Sequence, residues 1–456
     1  MTDEQRTPGP LGWLERIVSV RAGEGTALVL AFCFHFFILS GYYAVRPVRV
    51  AFGVARGADD LPVLYTGTLI AMLIAQPIYG WIVARLPRRV FIPIVYNFFI
   101  VNIVLIWVGL TTLPTEPTVA IAGDMYSWRT LLGYVFFVWI SVFNLFITSV
   151  FWSLMADRFR EEQGRRLFGC IAAGGSVGAL LGASTAWTLT ERIGAPTMLL
   201  IGCALLEGAV IVALLFMREA DRAGAQVGDA TDEAPQGERI GGSALAGMKS
   251  VLTSPYLIAI AGLMFLMSVC STLLYFQQAD IVSKAFDSED ARAAFFAKVD
   301  VFTNIATFTL QILIVSRLMK RGGVTLTLAL LPVITVLGFA ALALQPTLWV
   351  LVAFQVANRS GRYALMRPAR EVLYTVLSRE DKYKAKGFND TFVYRFGDQL
   401  GAWGDKGLRL LQLTPMMLAW IGAGVAVAWG AVAVYAGVRH RVIMRESPAT
   451  RAQAPE

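Results

Sequence analysis

The stretch "READRAGAQVGDATDEAPQGERIGGSALAGMKS", residues 218–250, decides how this chain is organised. Its Gly, Ala, Asp and Glu content is typical of a flexible linker. It interrupts a chain of 456 residues that is 56% hydrophobic and only 16% charged. A soluble protein usually carries about 25% charged residues, so this balance indicates a membrane protein on both sides of the insert.

Apolar segments recur on both sides of residues 218–250, and each is long enough to cross a hydrocarbon core about 30 Å thick. Six precede the insert and six follow it. The sequence therefore predicts an all-α polytopic membrane protein of about twelve transmembrane helices. We place these spans at 25–50, 60–84, 90–112, 128–156, 167–190, 196–217, 251–284, 293–317, 323–344, 347–378, 385–410 and 414–438.

The spans and the insert together predict five segments. Residues 1–24 form an N-terminal segment, in which Leu11–Val20 has helical apolar spacing suited to the membrane interface. Two six-helix bundles and the linker follow, and a tail ends the chain. The predicted ranges are 25–217 for the N-terminal bundle, 218–250 for the linker, 251–438 for the C-terminal bundle and 439–456 for the tail.

The distribution of basic residues predicts the orientation. Lysine and arginine are concentrated after the even-numbered spans, as in "RLPRR" (Arg85–Arg89), and such loops stay in the cytoplasm. We therefore expect both termini and the linker in the cytoplasm, and the inner membrane of a bacterium as the location. One end of a span departs from the rule, because Arg46 and Arg49 at the end of span 1 and Arg56 after it lie on the opposite side.

Composition also excludes several classes of site. The formal net charge is +8, but the positive residues lie beside the spans, where topology explains them, so we expect no nucleic-acid partner. The four cysteines all fall inside spans and none forms a CxxC pair, which favours core filling over a disulfide or a metal site. We predict no cofactor and no metal, and we expect a monomer whose partners are the bilayer and a small molecule.

Two similar cationic patterns fall within spans 1 and 10. "GYYAVRPVRV" (Gly41–Val50) and "GRYALMRPAR" (Gly361–Arg370) both contain Tyr, three residues and Arg-Pro-x-Arg. An unpaired arginine in a span costs roughly 2.5–3.5 kcal/mol, and these spans offer few matching acids. A hydrated cavity that receives an anion would relieve the cost. We interpret the two arginine pairs as charges at opposite mouths of a pathway; the residues are Arg46, Arg49, Arg367 and Arg370.

Further polar residues lie deep in spans, where they cannot face lipid. Span 11 is barely hydrophobic and contains Arg395 and Asp398, and His35 interrupts "FCFHFFILS" in span 1. Ion pairing of Arg395 with Asp398 at i, i+3 and a bond from His35 to a neighbouring helix are the structural alternatives. Asn358 and Arg362 in span 10, Gln278 and Asp280 in span 7, and Asn144 in span 4 complete the set.

Span 5 contains "GCIAAGGSVGALLGAS", in which glycines recur every four residues. Such a face lets a neighbouring helix approach closely. The same letters include G-x-S-x-G around Ser176, but a nucleophile elbow needs a preceding strand. The only histidines, His35 and His440, offer no base close to it in sequence. Packing is therefore favoured over an intramembrane serine enzyme.

"GWIVARLPRR" (Gly80–Arg89) resembles the loop signature G-x-x-x-D-R-x-G-R-R of the major facilitator superfamily, with Ala84 and Pro87 as departures. Weak internal similarity, such as "GALLGA" (178–183) with "GDQLGA" (397–402), supports two parallel six-span repeats. The resemblance implies a 6+6 pseudo-two-fold architecture in which spans 1, 4, 7 and 10 line a central cavity.

A narrower resemblance is to the ATP/ADP exchange (nucleotide) transporters of plastids and intracellular bacteria. "YYAVRPVRV" looks like their Y-x-x-L-R-D-x-K-D, "RYALMRPARE" is similar to K-Y-x-L-x-D-P-x-K-E, and "DKYKAKGFNDTFVYRFGDQLG" (381–401) matches K-x-K-G-K-A-x-I-D…G-K-S-G-G. The departures fall on functional charges: Val50 and Arg367 replace acids, Gln278 replaces a glutamate and Asp398 a lysine. The fold is implied more strongly than ATP/ADP exchange.

The sequence thus predicts a secondary active transporter that works by alternating access on an anionic solute, by exchange or proton coupling. We expect Arg362 and Arg395 to contact the solute, with Asn358, Tyr42, Tyr363, Gln278 and Asn144 around them. Arg46, Arg49, Arg367 and Arg370 are predicted mouth charges, and Asp280, Asp398 and His35 are candidates for a coupling proton. A proton-driven permease or exporter of an uncharged or zwitterionic solute, with arginines as interhelical locks, is the alternative.

Overall fold

The computed structural model describes residues 24–121, 123–159, 161–226 and 251–446. Leu11–Val20, most of the predicted linker and the end of the tail lie outside these residues. The described chain is helical almost throughout. Its helices, numbered in order, are α1 (Gly25–Gly53), α2 (Leu61–Arg85), α3 (Arg88–Thr112), α4 (Trp128–Arg158), α5 (Glu161–Ile193), α6 (Met198–Gln226), α7 (Pro255–Ala285), α8 (Glu289–Leu310), α9 (Ser316–Leu344), α10 (Leu348–Gly361), α11 (Arg367–Leu373), α12 (Arg379–Phe388), α13 (Tyr394–Leu410) and α14 (Pro415–Glu446).

Ten helical segments of the described chain are long and apolar enough to cross a membrane. They correspond to spans 1–9 and 12, and the prediction of an all-α polytopic membrane protein is confirmed. Many of their large apolar side chains are exposed in the protein, as Leu105 (62%) and Leu337 (64%) show. A bilayer would cover these side chains, whereas water would leave them unfavourably hydrated.

Predicted spans 10 and 11 are built from broken helices. Span 10 comprises α10, a π-helical turn (Arg362–Met366), α11 and a 3₁₀ turn (Tyr374–Val376). Span 11 comprises α12, a second π turn (Asn389–Val393) and α13. Neither span is apolar enough to count among the ten segments, because both carry charged residues at several positions along their length. Their path through the bilayer therefore depends on burial among other helices.

The first compact unit contains α1, α2 from Ile70 onward, α3 to α6 and the first turns of α8 (Glu289–Lys298). Its core is dominated by fully buried phenylalanines, including Phe34, Phe137 and Phe151. Phe34 and Phe151 pack edge to face with ring centroids 5.3 Å apart. Such aromatic pairs add stability beyond their buried area.

Glycines of α5 allow α1 to pack at backbone contact in this unit. A Cβ atom on Gly174, Gly178 or Gly182 would lie 2.4, 2.1 and 2.1 Å from the carbonyl oxygens of three α1 residues spaced four apart. These residues are Phe32, Phe36 and Ser40. The predicted helix-packing role of the glycine face is therefore confirmed.

The second compact unit contains residues 53–69, α7, the rest of α8 and α9 to α14. Trp429, Phe339, Phe276 and Tyr374 are its largest fully buried side chains. Several of its helices begin where the sequence supplies a capping oxygen. Ser254 accepts the Leu257 N–H at the start of α7, with proline as the first helical residue. This is the arrangement expected of a helix N-terminus.

Two local features were not predicted. Residues Val119–Ile121 (β1) and Asp124–Tyr126 (β2) form a small antiparallel hairpin between α3 and α4. α8 and α9 are joined through a π turn (Gln311–Val315), and the chain bends at Gly323, whose φ of 69° is suited to glycine. The predicted domain ranges 25–217 and 251–438 remain predictions. Unlike those ranges, the second compact unit includes residues 53–69 and the first includes residues 289–298.

Candidate functional site

A buried carboxylate on α13 lies at the centre of the best-formed polar site in the second unit. Asp398 is 7% exposed, and its Oδ1 accepts hydrogen bonds from Ser268 Oγ (2.5 Å) and Thr272 Oγ1 (3.3 Å) of α7. Its Oδ2 lies 3.4 Å from Arg395 Nη1. The i, i+3 ion pair considered from sequence is therefore present, but it is only one part of the arrangement.

Arg362 supplies the second positive charge of this site. Its Nη1 donates to Ser271 Oγ at 3.1 Å, and Asp398 interacts electrostatically with both Arg395 and Arg362. We refer to Arg362, Arg395, Asp398 and the three α7 hydroxyls as the Asp398 cluster. Two guanidinium groups and one carboxylate give the cluster a net charge of +1. Guanidinium groups form charge-assisted hydrogen bonds with anions, so this cluster is chemically suited to a negative group of a ligand.

Aromatic rings flank both arginines. The Arg362 guanidinium carbon lies 5.7 Å from the centroid of the Tyr363 ring, and the Arg395 carbon lies 6.0 Å from that of Tyr394. Tyr363 is 41% exposed. The rings form apolar surfaces beside the charges, an environment suited to a solute with both an anionic and an aromatic or apolar part.

Glycines of α13 hold the Asp398 cluster against α7. A Cβ on Gly397 would lie 2.8 Å from Phe265 O, and one on Gly401 would lie 2.9 Å from Thr272 Cβ. These two glycines flank Asp398 on the packed face of the helix. Without side chains at these positions, the Asp398 carboxylate approaches the α7 hydroxyls within hydrogen-bond distance.

π-helical turns set the position of each arginine. Arg362 begins the turn Arg362–Met366, and Tyr394 and Arg395 directly follow the turn Asn389–Val393. A π turn inserts one residue into a helix and changes the direction in which the following side chains point, and such turns are frequent at functional sites. Helical spacing read from sequence cannot place side chains across these turns.

A second ion cluster occupies the C-terminal end of α13. Arg409 forms an ion pair with Asp280 of α7 (2.6 Å) and another with Asp405 one turn earlier on its own helix. Asp280 Oδ1 also accepts the Ala58 N–H at 3.1 Å. Next to Ala58, Gly57 has φ 73°. Asp280, a candidate for proton coupling, is thus engaged by a cation and by a backbone turn.

A third ion cluster lies at the opposite end of span 11. Arg370 Nη1 is 3.3 Å from Asp390 Oδ1, and Arg370 Nη2 is 3.7 Å from Glu371 Oε1. Lys386 Nζ pairs with Glu371 at 2.7 Å. Span 10 itself offers few matching acids, as expected, but the neighbouring segment supplies Asp390 as a partner for Arg370.

Charges along span 11 therefore lie in three layers. At 1.5 Å per residue, Asp390 and Asp398 are separated by about 12 Å along the helix, and Asp398 and Arg409 by about 16 Å. Each layer pairs with groups from other segments of the second unit. This explains how a segment with so little hydrophobicity is retained in a membrane protein.

The predicted mouth arginines of α1 contact their own unit. Arg49 donates from Nε to Phe137 O (2.9 Å) and from Nη2 to Ser141 Oγ (2.8 Å), and its guanidinium carbon lies 3.8 Å from the centroid of the Phe137 ring. Arg46 lies over the Tyr43 ring at 5.6 Å. Arg49 thus ties α1 to α4, which supplies a structural reason for one of the charges that topology does not explain.

His35 is packed among α1, α4 and α5. It is 7% exposed, its Nδ1 lies 3.0 Å from Ile171 O, and its ring stacks on Phe151 with centroids 4.3 Å apart. A Cβ on Gly175 would lie within 2.4 Å of the imidazole, so the ring occupies the space above that glycine. This geometry favours the alternative of a histidine bonded to a neighbouring helix.

The remaining candidates are distributed over several surfaces. Asn358 is buried and donates to Thr335 Oγ1 of α9 at 2.9 Å, so its amide packs α10 against α9. Gln278 is buried on α7, two turns from Ser271. Tyr42 and Asn144 are half-buried in the first unit, and Arg367 is exposed. Of the predicted solute contacts, Arg362, Arg395 and Tyr363 are brought together within the second unit.

Ser176 has no catalytic environment in the described chain. It is exposed on the continuous helix α5, with no strand before it, so the G-x-S-x-G letters form no nucleophile elbow. The glycines on either side of it contact α1 instead.

Sequence reasoning missed six residues of these clusters. The α7 hydroxyls at i, i+3 and i+4 share one helical face, and Asp405 with Arg409 is an i, i+4 acid–base pair, so local spacing could have indicated both groups. No spacing rule indicates which carboxylate they meet. The missed residues are Ser268, Ser271, Thr272, Tyr394, Asp405 and Arg409.

Two curated carriers are similar to part of the chain. The ADP,ATP carrier proteins 1 of Chlamydia muridarum and Chlamydia trachomatis are each 26% identical to it over 179 residues. The similarity covers 35% of this chain and 34% of each carrier, so it spans about a third of their length. No protein-family profile matches the chain.

Solved transporter structures share the fold over nearly the whole chain. The nucleoside transporter NupG superposes with a TM-score of 0.55 at 13% identity, covering 92% of this chain and 99% of NupG. A bacterial homologue of the human lysosomal transporter Spinster, in an inward-facing and unoccupied conformation, gives 0.53 at 14% identity, covering 93% and 98%. The chain is therefore a polytopic membrane protein with the fold of major facilitator transporters, and it resembles nucleotide carriers. These similar proteins are carriers and transporters rather than enzymes.

Proposed function

We propose that this protein is a secondary active transporter of an anionic solute, such as a nucleotide or another phosphorylated or organic anion, working by alternating access. The observation that carries the proposal is the Asp398 cluster, in which two arginines share one buried carboxylate. The similarity to ADP,ATP carriers and the shared fold of nucleoside and lysosomal transporters support transport as the activity.

The chemistry of the cluster favours an anion over a neutral solute. A phosphate or carboxylate would accept hydrogen bonds from Arg362 and Arg395 and would balance the charge left by Asp398. A hydrogen bond to a charged group contributes roughly 1.5–3 kcal/mol, equivalent to roughly 10- to 150-fold in affinity. Tyr363 and Tyr394 would contact the less polar part of the solute.

Asp398 is the carboxylate best placed for coupling to a proton or to exchange. When ionised, it competes with the solute for Arg362 and Arg395. When protonated, it releases both arginines for an incoming anion. Asp280 and His35 remain weaker candidates, because Arg409 engages the first and aromatic packing surrounds the second. Arg46, Arg49, Arg367 and Arg370 are retained as proposed mouth charges.

The second candidate is a proton-driven permease or exporter of an uncharged or zwitterionic solute. The observation that favours it is the extent of ion pairing: Arg370 and Arg409 each have acid partners on another segment. In such a protein the arginines would act as locks between helices, and nucleotides or phosphate would not compete for transport.

A ligand screen followed by uptake into proteoliposomes tests the proposal. Thermal unfolding of the purified protein is measured against nucleotides, phosphorylated metabolites, peptides and siderophores, and the stabilising compound is used as the labelled solute. We expect Arg362→Ala and Arg395→Ala each to lower uptake at least tenfold. Arg317→Ala is the control and should transport normally, because this exposed arginine donates to Leu313 O of the preceding turn and to no other group in the described part of the chain. Unchanged uptake in both site variants would refute the anion assignment.

We further propose that the protein resides as a monomer in a bacterial inner membrane with both termini in the cytoplasm. The arginine- and lysine-rich segments after the even-numbered spans support this orientation. Cysteine accessibility labelling of residue 445, which is exposed and is introduced as Arg445→Cys in a cysteine-free background, would test the predicted side of the C-terminal segment. The two six-helix bundles predicted from the sequence, 25–217 and 251–438, remain the proposed repeats.

A further inference from the structure

A separate cavity lies within the second unit, at the C-terminal end of α7. Its volume is about 390 Å³, within the range of small-ligand sites. Most of its wall is apolar and comes from the end of α9, the connection to α10 and the starts of α10 and α14, including Leu342, Pro346 and Met416. Three polar residues of α7 also line it: Gln277, Asp280 and Lys284. We call it the α7–α14 pocket.

The pocket is on the other side of α7 from the Asp398 cluster. At 100° per residue, the face carrying Gln277, Asp280 and Lys284 is roughly 180° from the face carrying Ser268 and Ser271. The residues that line the cavity and those that bond Asp398 or Arg362 are therefore different sets.

Gln277 indicates that the pocket is built for a polar group. Its side chain is 94% buried, and its Nε2 donates to no group among the described residues. A buried amide without an acceptor costs about 1–3 kcal/mol, so an acceptor supplied by a ligand would relieve this cost. The amide thus indicates a ligand with a carbonyl or ester oxygen at this depth.

One positive side chain of the pocket is available to an anionic ligand. Asp280 forms an ion pair at 2.6 Å with Arg409, a cation that it shares with Asp405, and it accepts the Ala58 N–H. Lys284 is exposed and forms no ion pair with any residue that the structure describes. The ammonium group of Lys284 is therefore the available charge at the rim, about two helical turns from Gln277.

The position of the pocket along α7 matches the lipid headgroup region. With 31 residues, α7 is about 46 Å long, which exceeds a hydrocarbon core of about 30 Å, so its ends reach the headgroups. Trp349 and Trp420, which are 79% and 48% exposed, follow lining residues at the starts of α10 and α14. Exposed tryptophans at helix ends are typical of the membrane interface.

We propose that the α7–α14 pocket binds an anionic phospholipid. The phosphate would lie against Lys284, a glycerol ester carbonyl would accept a hydrogen bond from Gln277 Nε2, and the first part of an acyl chain would contact the apolar wall. The proposal does not depend on the transported solute, because the site shares no lining residue with the Asp398 cluster.

Lipid titration of the delipidated protein in a neutral detergent tests this site. Native mass spectrometry and thermal unfolding are measured with phosphatidylglycerol, with phosphatidylcholine of the same acyl chains, and with inorganic phosphate. We expect phosphatidylglycerol to bind and stabilise most. Lys284→Ala should weaken the binding of phosphatidylglycerol about tenfold and remove the preference over phosphatidylcholine. Gln277→Leu should weaken the binding of both lipids.

Control variants separate this site from other causes. Lys320→Ala removes an exposed lysine of α9 and should leave lipid binding unchanged, as should Arg362→Ala even if it abolishes transport. Because Lys284 is exposed, Lys284→Ala remains informative if Gln277→Leu fails to fold. Equal binding by wild type and Lys284→Ala, or stabilisation by inorganic phosphate alone, would overturn the proposal.

Discussion

Substitution of Gly178 by alanine tests whether α1 and α5 pack at backbone contact. An added Cβ would lie 2.1 Å from Phe36 O, whereas real Cβ contacts essentially never fall below 3.0 Å, so the helices must separate by at least about 0.9 Å. Overpacking of this kind costs typically about 1–3 kcal/mol, and the upper end applies because the obstacle is backbone. We therefore expect Gly178→Ala to destabilise the first unit.

Gly169→Ala is the matched control on the same helix. Nothing lies within 4 Å of a Cβ at Gly169, so alanine should stabilise α5 by about 0.5–1 kcal/mol through its helix propensity. The two variants should then differ by about 1.5–4 kcal/mol. For a chain of 456 residues, an unfolding entropy of about 2.1 cal/mol/K per residue converts this difference to roughly 2–4 °C.

The assay is thermal unfolding of the detergent-solubilised protein, followed by the fluorescence of its 11 tryptophans. Gly178→Ala should unfold at a lower temperature than the wild type, and Gly169→Ala should unfold at the wild-type temperature or above it. If Gly178→Ala unfolds at the same temperature as Gly169→Ala, the close contact of α5 with the α1 carbonyls does not exist in the protein.

Three further predictions concern charged side chains of the two units. Asp398→Asn removes the negative charge but keeps an acceptor for Ser268. Uptake driven by a pH gradient should therefore be lost while solute binding is retained or tightened. Loss of solute binding, measured by isothermal titration calorimetry, would contradict this. Arg409→Ala leaves Asp405, which is 1% exposed, without its cation and should lower the free energy of unfolding by about 3 kcal/mol. Adding Asp405→Asn should restore part of this loss. If a denaturant melt shows no restoration, a charge effect is excluded. Arg49→Lys keeps the charge but cannot reproduce both hydrogen bonds to α4, so the melting temperature should fall. An unchanged melting temperature would make Arg49 a mouth charge without a structural role.

Sequence periodicity predicted those parts of the fold that depend on local spacing. Hydrophobic length predicted the ten apolar segments, because the bilayer sets a minimum number of apolar residues. The glycines at positions 174, 178 and 182 were assigned to packing correctly, since small residues four apart leave one helical face bare. The pair Arg395 and Asp398 was likewise visible at i, i+3.

Other parts of the site could not be predicted from spacing. The partners of Asp398 on α7 lie about 130 residues away in sequence, and only tertiary packing brings Ser268 and Thr272 to it. The π turns before Tyr394 and at Arg362 change the direction of the side chains that follow, so a 100° rule misplaces them. The sequence showed that span 10 offers few matching acids, but it could not show that Asp390 of the next segment lies beside Arg370.

The competition between a nucleoside and its phosphorylated form tests the central claim most directly. Both compounds share the base and the sugar, so any difference in their inhibition of labelled-solute uptake into proteoliposomes measures recognition of the anionic group. We expect the phosphorylated compound to compete at least tenfold more strongly, and we expect Arg362→Ala to abolish this difference. Equal competition by the two compounds in wild type, or a preference for the nucleoside that Arg362→Ala does not alter, would contradict the proposed anion site.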